Sequence, residues 1–461
     1  MPAGMHIHLV GIGGAGLSAI ARVLLARGFV VSGSDMQAGS LTDDLGSAGA
    51  TIYIGHAAAQ IAGAALVVIS SAIPATNPEL IAAREQGIPV VKRDVLLGAL
   101  MAGTTGIAVA GTHGKTTTTG MISQILIDAA HDPTVIVGGV LPGIGSNGRA
   151  GQGRFFVVEA DEYDHMFLGL RPTIAILNNV EHDHPDIFAD ARSYHEAFVA
   201  FAHLLPESGW LVAGVDDPGV QQVIAGLKTA CGVVTFGLGP HAMIRAEELR
   251  PNPLGGTDFL LTIGIETVGL VRLRVPGEHN VRNALAALAV GQTLDVPFEQ
   301  MVRTLAAFGG VERRFQELGS VGDVVVIDDY AHHPTEIRVT LAAARQRYPG
   351  RRLWAVWQPH TYSRTRLMLD AFVKSLESAD QVVVLDIYRS REQDNLGLDA
   401  AQIMAQMAHH PAAIHAADFE TAATHILDRV LPGDVVLTLG AGDGNRAGEL
   451  VLAGLRRRFG S

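Results

Sequence analysis

The residues Gly111-Thr112-His113-Gly114-Lys115-Thr116-Thr117 have the makings of a phosphate-binding loop. Glycines let backbone N–H groups wrap phosphate oxygens, and a following helix adds the positive end of its dipole. Lys115 would neutralise the β- and γ-phosphates of a nucleotide, and Thr116 would hold a magnesium ion. The apolar run Ile107–Ala110 reads as a strand before the loop, and Met121–Ile127 as a helical stretch after it. The commonest form of the loop would place a glycine where Val109 stands. A glycine turn with an incidental lysine would carry the same letters, but it would not need a strand before it and a helix after it.

A second turn, Gly11-Ile12-Gly13-Gly14-Ala15-Gly16, fits GxGxxG, and Asp35 follows 19 residues beyond Gly16. This is a dinucleotide fingerprint. Physically it lets a diphosphate approach a helix N-terminus, without naming the nucleoside, and a tight strand–helix turn would read the same. Two acidic segments follow the phosphate loop, Phe156–Glu162 and Asn178–His184, each at the end of an apolar strand. Magnesium prefers oxygen, so Glu159 is a candidate ligand, with His184 acting partly through water; a solvated acidic loop is the plainer alternative. Gly277–Asn283 opens a helical stretch, Ala284–Val290, with asparagines that either cap it or read a base edge. Asp328–Pro334 and Gln358–Arg366 bring Asp, His and Arg to the ends of two further strands. Arginine grips carboxylate or phosphate through paired hydrogen bonds.

Short β-rich runs alternate with amphipathic helical stretches along the chain, which predicts α/β architecture on mainly parallel sheets. Three blocks emerge, at 1–103, 104–310 and 311–461. The first carries strands at 6–10, 28–32 and 66–69 and helices near 15–27 and 78–86. Within the second, residues 242–275 lack a helical period and contain Pro-Asn-Pro and Gly-Gly turns, so they read as a small antiparallel insertion. The third carries strands at 323–328, 353–357, 381–386 and 434–439.

The 461 residues are 48% hydrophobic and 17% charged, enough to bury several cores. A formal net charge of -12 argues against general nucleic-acid binding. The single cysteine, Cys231, allows no internal disulfide and points to a reducing cytoplasm. No apolar run is long enough for a membrane span; Ile61–Ala75 is interrupted by Ser70, Ser71 and Pro74.

Taken in order, these motifs resemble the Mur ligase family over essentially the whole chain. The resemblance rests on GIGGAG, Ser70-Ser71-Ala72-Ile73, GTHGKTTTT, VEADE, GEHNVRNALAA, RRFQ, DDYAHHPTEI and QPHTYSRT. It implies a Rossmann-like UDP-binding domain, a phosphate-loop ATPase domain and a Rossmann-like C-terminal domain that closes over the site. It implies ATP, Mg2+, UDP-N-acetylmuramate and L-alanine as cofactors and substrates. The expected reaction is amide formation through an acyl phosphate, in peptidoglycan precursor synthesis, by a monomer or homodimer. It puts Gly13, Gly14, Gly16, Asp35, Ser70 and Ser71 at a UDP-sugar. It puts residues 111–117, Asn283 and Arg314 at ATP, and Thr116, Glu159 and His184 at metal. Lys115, His184, His332 and Arg364 are the expected catalytic residues, with Tyr330 facing the reacting groups.

The resemblance is imperfect at two places. Many relatives carry Arg where this chain has Thr361. Several carry a carbamylated lysine on the helix after the metal-site histidine, and here no lysine lies between Lys115 and Lys228. Glu196, His195 or His203 could stand in, or be ordinary helix residues. A ligase adding a whole tripeptide, an NAD-dependent oxidoreductase and a nucleotide-gated binding module are the competing readings.

Overall fold

A computed structural model describes residues 1–460 except 229, 391, 393 and 411, and except the side chain of 409. Three sheets follow one another along the chain. The first has five parallel strands, ordered Thr51–Ile54, Val30–Asp35, His6–Val10, Leu66–Ile69 and Val90–Lys92. The strand His6–Val10 has neighbours formed later in the chain on both sides. Ligands bind where strand order reverses in this way, and the Gly11–Gly16 turn leaves that strand's C-terminal end. The second strand begins at Val30, not at the expected residue 28. Gly28, at φ +80°, turns the chain out of the helix Ala15–Ala26 and delays the strand.

The second sheet has ten strands, with Thr105–Ala110 between Ile174–Leu177 and Phe155–Glu159. Its far end is the expected antiparallel insertion: Ile244–Pro251, Thr257–Ile263 and Glu266–Arg272 form a meander. The helix after the phosphate loop starts at Lys115, six residues before its apolar stretch. Thr116–Thr119 are all buried, so this polar-looking run belongs to the interior. The helix Glu278–Thr293 likewise starts ahead of the expected Ala284. A hairpin not foreseen from sequence, Thr134–Leu141 with Ser146–Arg149, packs on the first sheet's helix. A Cβ on Gly148 would lie 2.4 Å from Ala19 O, and Asn147 Nδ2 donates to Ala15 O.

The third sheet has six strands: an antiparallel edge, Gln316–Val321, on Val324–Asp329, then Val435–Leu439, Leu353–Trp357, Gln381–Leu385 and Ala413–Ala416 in parallel. One apolar cluster runs continuously from the first sheet (Ile7, Leu24) into the second (Phe156, Phe198). The third sheet's two clusters, around Trp357 and Trp354, contain only residues from the chain after 314. The first two sheets are therefore joined by oil, while polar side chains meet the third.

Candidate active site

The strand Thr105–Ala110 delivers the loop 111–114 to the N-terminus of the helix Lys115–Asp128. Gly114 sits at φ +79°, and a Cβ there would lie 2.4 Å from Asn283 Oδ1, so backbone and space both demand glycine. The loop is anchored by two asparagines. The His113 amide donates to Asn179 Oδ1 at 2.8 Å, and its carbonyl accepts from Asn178 and Asn179. Lys115 Nζ donates to Gly111 O at 2.6 Å and to Glu162 Oε1 at 3.0 Å. Burial opposes the ammonium charge, but Glu162 and Asp161 outweigh it and raise its pKa.

The two acidic segments converge on this lysine. Thr116 Oγ1 donates to Glu159 Oε1 at 3.0 Å, and the Gly138 amide to Glu159 Oε2 at 2.7 Å. His184, in left-handed backbone at φ +55°, places Nε2 3.7 Å from Glu162 Oε1. Burial disfavours its charged form, yet Asp183 and Glu162 raise its pKa overall. Glu162 Oε2 is buried, 2.9 Å from Lys115 Nζ, and makes no well-aligned hydrogen bond. A hydroxyl and unsatisfied carboxylate oxygen around a phosphate loop suit a hard cation. Thr116, Glu159 and Glu162 could hold magnesium there, with His184 at one remove.

One residue of this cluster escaped the sequence reading. The Tyr194 hydroxyl, fully buried, lies 3.0 Å from Thr112 Oγ1 and 3.2 Å from Glu162 Oε1. It is what the helix Ala191–Ala202 sends to the acids. Its neighbours point elsewhere: Glu196 pairs with exposed Arg192, His195 Nδ1 bonds Ala191 O, and His203 accepts from the Lys228 amide. None of the three suggested stand-ins for a lysine has an acidic-cluster partner. A tyrosine in an aromatic helix reads as core, and only the fold reveals where its oxygen goes.

From the third sheet comes Arg364, 4% exposed, whose Nε and Nη2 fork onto Asp183 at 2.8 and 3.2 Å. Its Nη2 also lies 3.4 Å from His184 Nδ1, and Nη1 donates to His360 Nδ1. His332 Nδ1 lies 3.0 Å from Tyr330 O, which puts the proton on Nδ1 and leaves the lone pair on Nε2. Burial lowers its pKa to about 4, so it is neutral at physiological pH. Tyr330 is half-buried beneath the guanidinium groups of Arg313 and Arg314. Thr361 takes φ +66°, an uncomfortable value for a β-branched residue.

A cavity of about 230 Å³ opens between the loop and the third sheet, lined by His113, Thr116, Asn178, Asn283, Arg314 and Glu336. Arg314 Nη2 reaches Thr116 Oγ1 at 3.4 Å, and Asn283 Oδ1 accepts from Thr118. His113, Glu181 and His333 could in principle share a metal ion. His113 instead lies between two carboxylates, Glu181 at 2.9 Å and Glu336 at 3.3 Å. Burial works against its charge, but those hydrogen bonds prevail and raise its pKa to about 9. A protonated ring is a poor metal ligand, so the trio reads as an ion-pair cluster.

In the first sheet, the Gly13 amide donates to Asp35 Oδ2 at 2.9 Å, tying the turn to the second strand's end. Ser70 Oγ accepts from the Ala72 amide, and Ser71 Oγ reaches Met166 Sδ across the joint at 3.6 Å. A Cβ on Gly16 would lie 2.2 Å from Arg93 Nη1. Arg93 in turn pairs with Asp161, beside the acidic cluster. The two glycine turns are thus linked through one ion pair.

Three family models match the chain: Mur ligase family, catalytic domain, over residues 6–105; Mur ligase middle domain over 109–291; and Mur ligase, glutamate ligase domain, over 313–442. The chain belongs to the Mur ligase family. It is 44% identical to a UDP-N-acetylmuramate–L-alanine ligase of Salinibacter ruber, covering 96% of this chain and 94% of that one. It is 43% identical to a ligase of the same name from Geotalea uraniireducens, over 98% of both chains. Among solved structures it is similar to the UDP-N-acetylmuramate–alanine ligase of Thermotoga maritima, at 28% identity and TM-score 0.84, over 98% and 100% of the two chains. A murein peptide ligase from Psychrobacter arcticus aligns at 26% identity and TM-score 0.75, over 98% and 99%. In the Mur ligase setting the first glycine turn belongs to a ligase chain, and the oxidoreductase reading falls away.

Proposed function

We propose that this Mur ligase joins L-alanine to the lactyl carboxylate of UDP-N-acetylmuramate at the expense of ATP, in peptidoglycan precursor synthesis in the cytoplasm. The observation that carries the reading is a continuous chain of contacts between the sheets. Lys115 reaches Glu162 at 3.0 Å, Glu162 reaches His184 at 3.7 Å, and His184 reaches Arg364 at 3.4 Å. Residues fit to hold a triphosphate therefore meet residues fit to hold carboxylates in one buried place.

A carboxylate resists amines until one oxygen becomes a leaving group, and phosphorylation to an acyl phosphate achieves this. Carboxylate and triphosphate repel each other, so the site must offset negative charge in a place poor in water. Lys115 and Arg314 supply positive charge on the loop side, and Arg364 supplies it on the third-sheet side. Magnesium, held by Thr116, Glu159 and neighbouring acids, would neutralise phosphate charge further. Asp183 fixes the Arg364 fork in place. Neutral His332 offers Nε2 as acceptor for an ammonium proton. A pKa near 4 makes it a weak base, suited to passing the proton on and not to keeping it. Gly13, Gly14, Gly16, Asp35, Ser70 and Ser71 hold the UDP-sugar in the first sheet, and Asn283 and Arg314 contact ATP.

The test is phosphate release with UDP-N-acetylmuramate, ATP, magnesium and a panel of acceptors. Release should depend on the UDP-sugar and on L-alanine together. Faster turnover with the tripeptide than with L-alanine would transfer the chain to the peptide-adding branch. No release with any acceptor would favour a nucleotide-gated binding role.

A further inference from the structure

Besides Arg314 at Thr116 and the His333 ring packed on His113, the third sheet sends one carboxylate to the phosphate loop. Glu336 lies in the first turn of the helix Pro334–Arg347, where its Oε2 accepts from the His332 and His333 amides. That much is a helix cap. Its Oε1, however, crosses the seam to His113 Nδ1 at 3.3 Å and stands 3.9 Å from Arg314 Nη1. Oε2 also lies 3.2 Å from His332 Nδ1. The neighbouring Thr335 Oγ1 donates to Glu181 Oε1 at 2.9 Å, while Glu181 Oε2 holds the other nitrogen of His113. His113 is thus gripped by one carboxylate from its own sheet and one from the third. Capping alone asks for a single acceptor oxygen and gives no reason for the second to reach His113 at the edge of the cavity beside the loop.

We propose that Glu336 is a positioning residue: by clamping the His113 side chain, it makes the phosphate loop's geometry conditional on docking of the third sheet. The inference rests on the ligase reading. It explains why a carboxylate lines a cavity meant for phosphates: the carboxylate is matched by His113 and Arg314, and its object is the loop. With the third sheet undocked, His113 keeps only Glu181, and residues 111–114 lose their outer anchor. Docking then restores the loop at the moment when Arg364 and His332 arrive, so phosphoryl transfer waits until the acceptor side is in place and water is excluded.

Two measurements on the full chain test this. Hydrogen exchange of the amides of residues 111–117 should speed up about tenfold or more in Glu336→Gln, because Gln keeps the cap acceptor but loses the charged grip. In phosphate-release assays, Glu336→Gln and His113→Gln should each lower kcat about tenfold or more, and the double variant should be little worse than either single one. UDP affinity by calorimetry should stay within about twofold of the parent, since that site lies in the first sheet. Unchanged loop exchange in Glu336→Gln overturns the proposal whatever the activity. So do losses that multiply in the double variant, as a mere cap would give. A parent that exchanges as expected but releases no phosphate overturns the ligase reading and leaves the clamp standing. If Glu336→Gln does not fold, His113→Gln alone must show the faster exchange, and failure to do so overturns the proposal.

Discussion

Tyr194 is the residue on which the acidic cluster turns without being acidic. Its hydroxyl stands between Thr112 of the phosphate loop and Glu162, the carboxylate that holds Lys115. Burial, with Glu162 nearby, pushes its pKa well above the ordinary tyrosine value, so it stays a neutral donor. Tyr194→Phe should cost about 1 kcal/mol of stability, the usual worth of a buried hydrogen bond. It should lower kcat more than it raises KM for ATP, because Glu162 would pull on Lys115 unopposed. Steady-state kinetics read both constants, and unchanged kcat would remove Tyr194 from the machinery. Lys115, Thr116, Glu159, His184 and Arg364 stand out in the sequence because charge and glycine spacing announce themselves, and the structure brings them to one cluster. Tyr194 and Glu336 were silent, since one looks like core and the other like a helix cap, and their partners lie 32 and 223 residues away. Asp329 is equally silent, one acid in an acidic strand end. Burial raises its pKa to about 6, and it holds the Phe315 and Ala331 amides.

At the scale of elements, the strand–turn–helix units were legible because each announces itself by an apolar run followed by glycine. Their boundaries were less so. The helix Lys115–Asp128 opens on four buried threonines, and β-branched polar residues carry no apolar signal. The hairpin Thr134–Arg149 was missed because its Gly-rich strands owe their place to the helix they pack on. That same helix, Ala15–Ala26, begins at the first glycine turn, where Arg93 presses against Gly16. Gly16→Val would drive its side chain into the Arg93 guanidinium and crowd the turn proposed to receive the UDP diphosphate. UDP affinity, measured by calorimetry, should fall about tenfold or more. An unchanged affinity would place the UDP site elsewhere.

Across the whole molecule, the contrast between the two joints predicts how the chain responds to pH. The first joint rests mainly on an apolar cluster, with the ion pairs of Arg93 with Asp161 and Lys92 with Asp164 beside it. The second depends on Arg364 with Asp183, Thr335 with Glu181, and His113 between Glu181 and Glu336. Of these charged groups, His113 loses its proton nearest to neutrality. Its pKa is raised in the folded chain to about 9 from an ordinary 6.5, against the pull of burial, by the hydrogen bonds of its two carboxylates. The native state therefore binds this proton more tightly than the unfolded state, and stability must fall as pH rises. The contribution is complete below about pH 6.5, shrinks through pH 7 and 8, and is gone above about 9; its size is on the order of 3 kcal/mol. Glu181, held to about 2 because hydrogen bonding from His113 overcomes its burial, stays ionised throughout this window. Calorimetric melting from pH 6.5 to 9.5 should thus show a decline in the parent that is flattened in His113→Gln. Equal slopes in the two would mean that the imidazolium does not hold the seam. Part of the decline should persist in high salt, because His113 and Glu336 are both largely shielded from solvent and that pair is poorly screened.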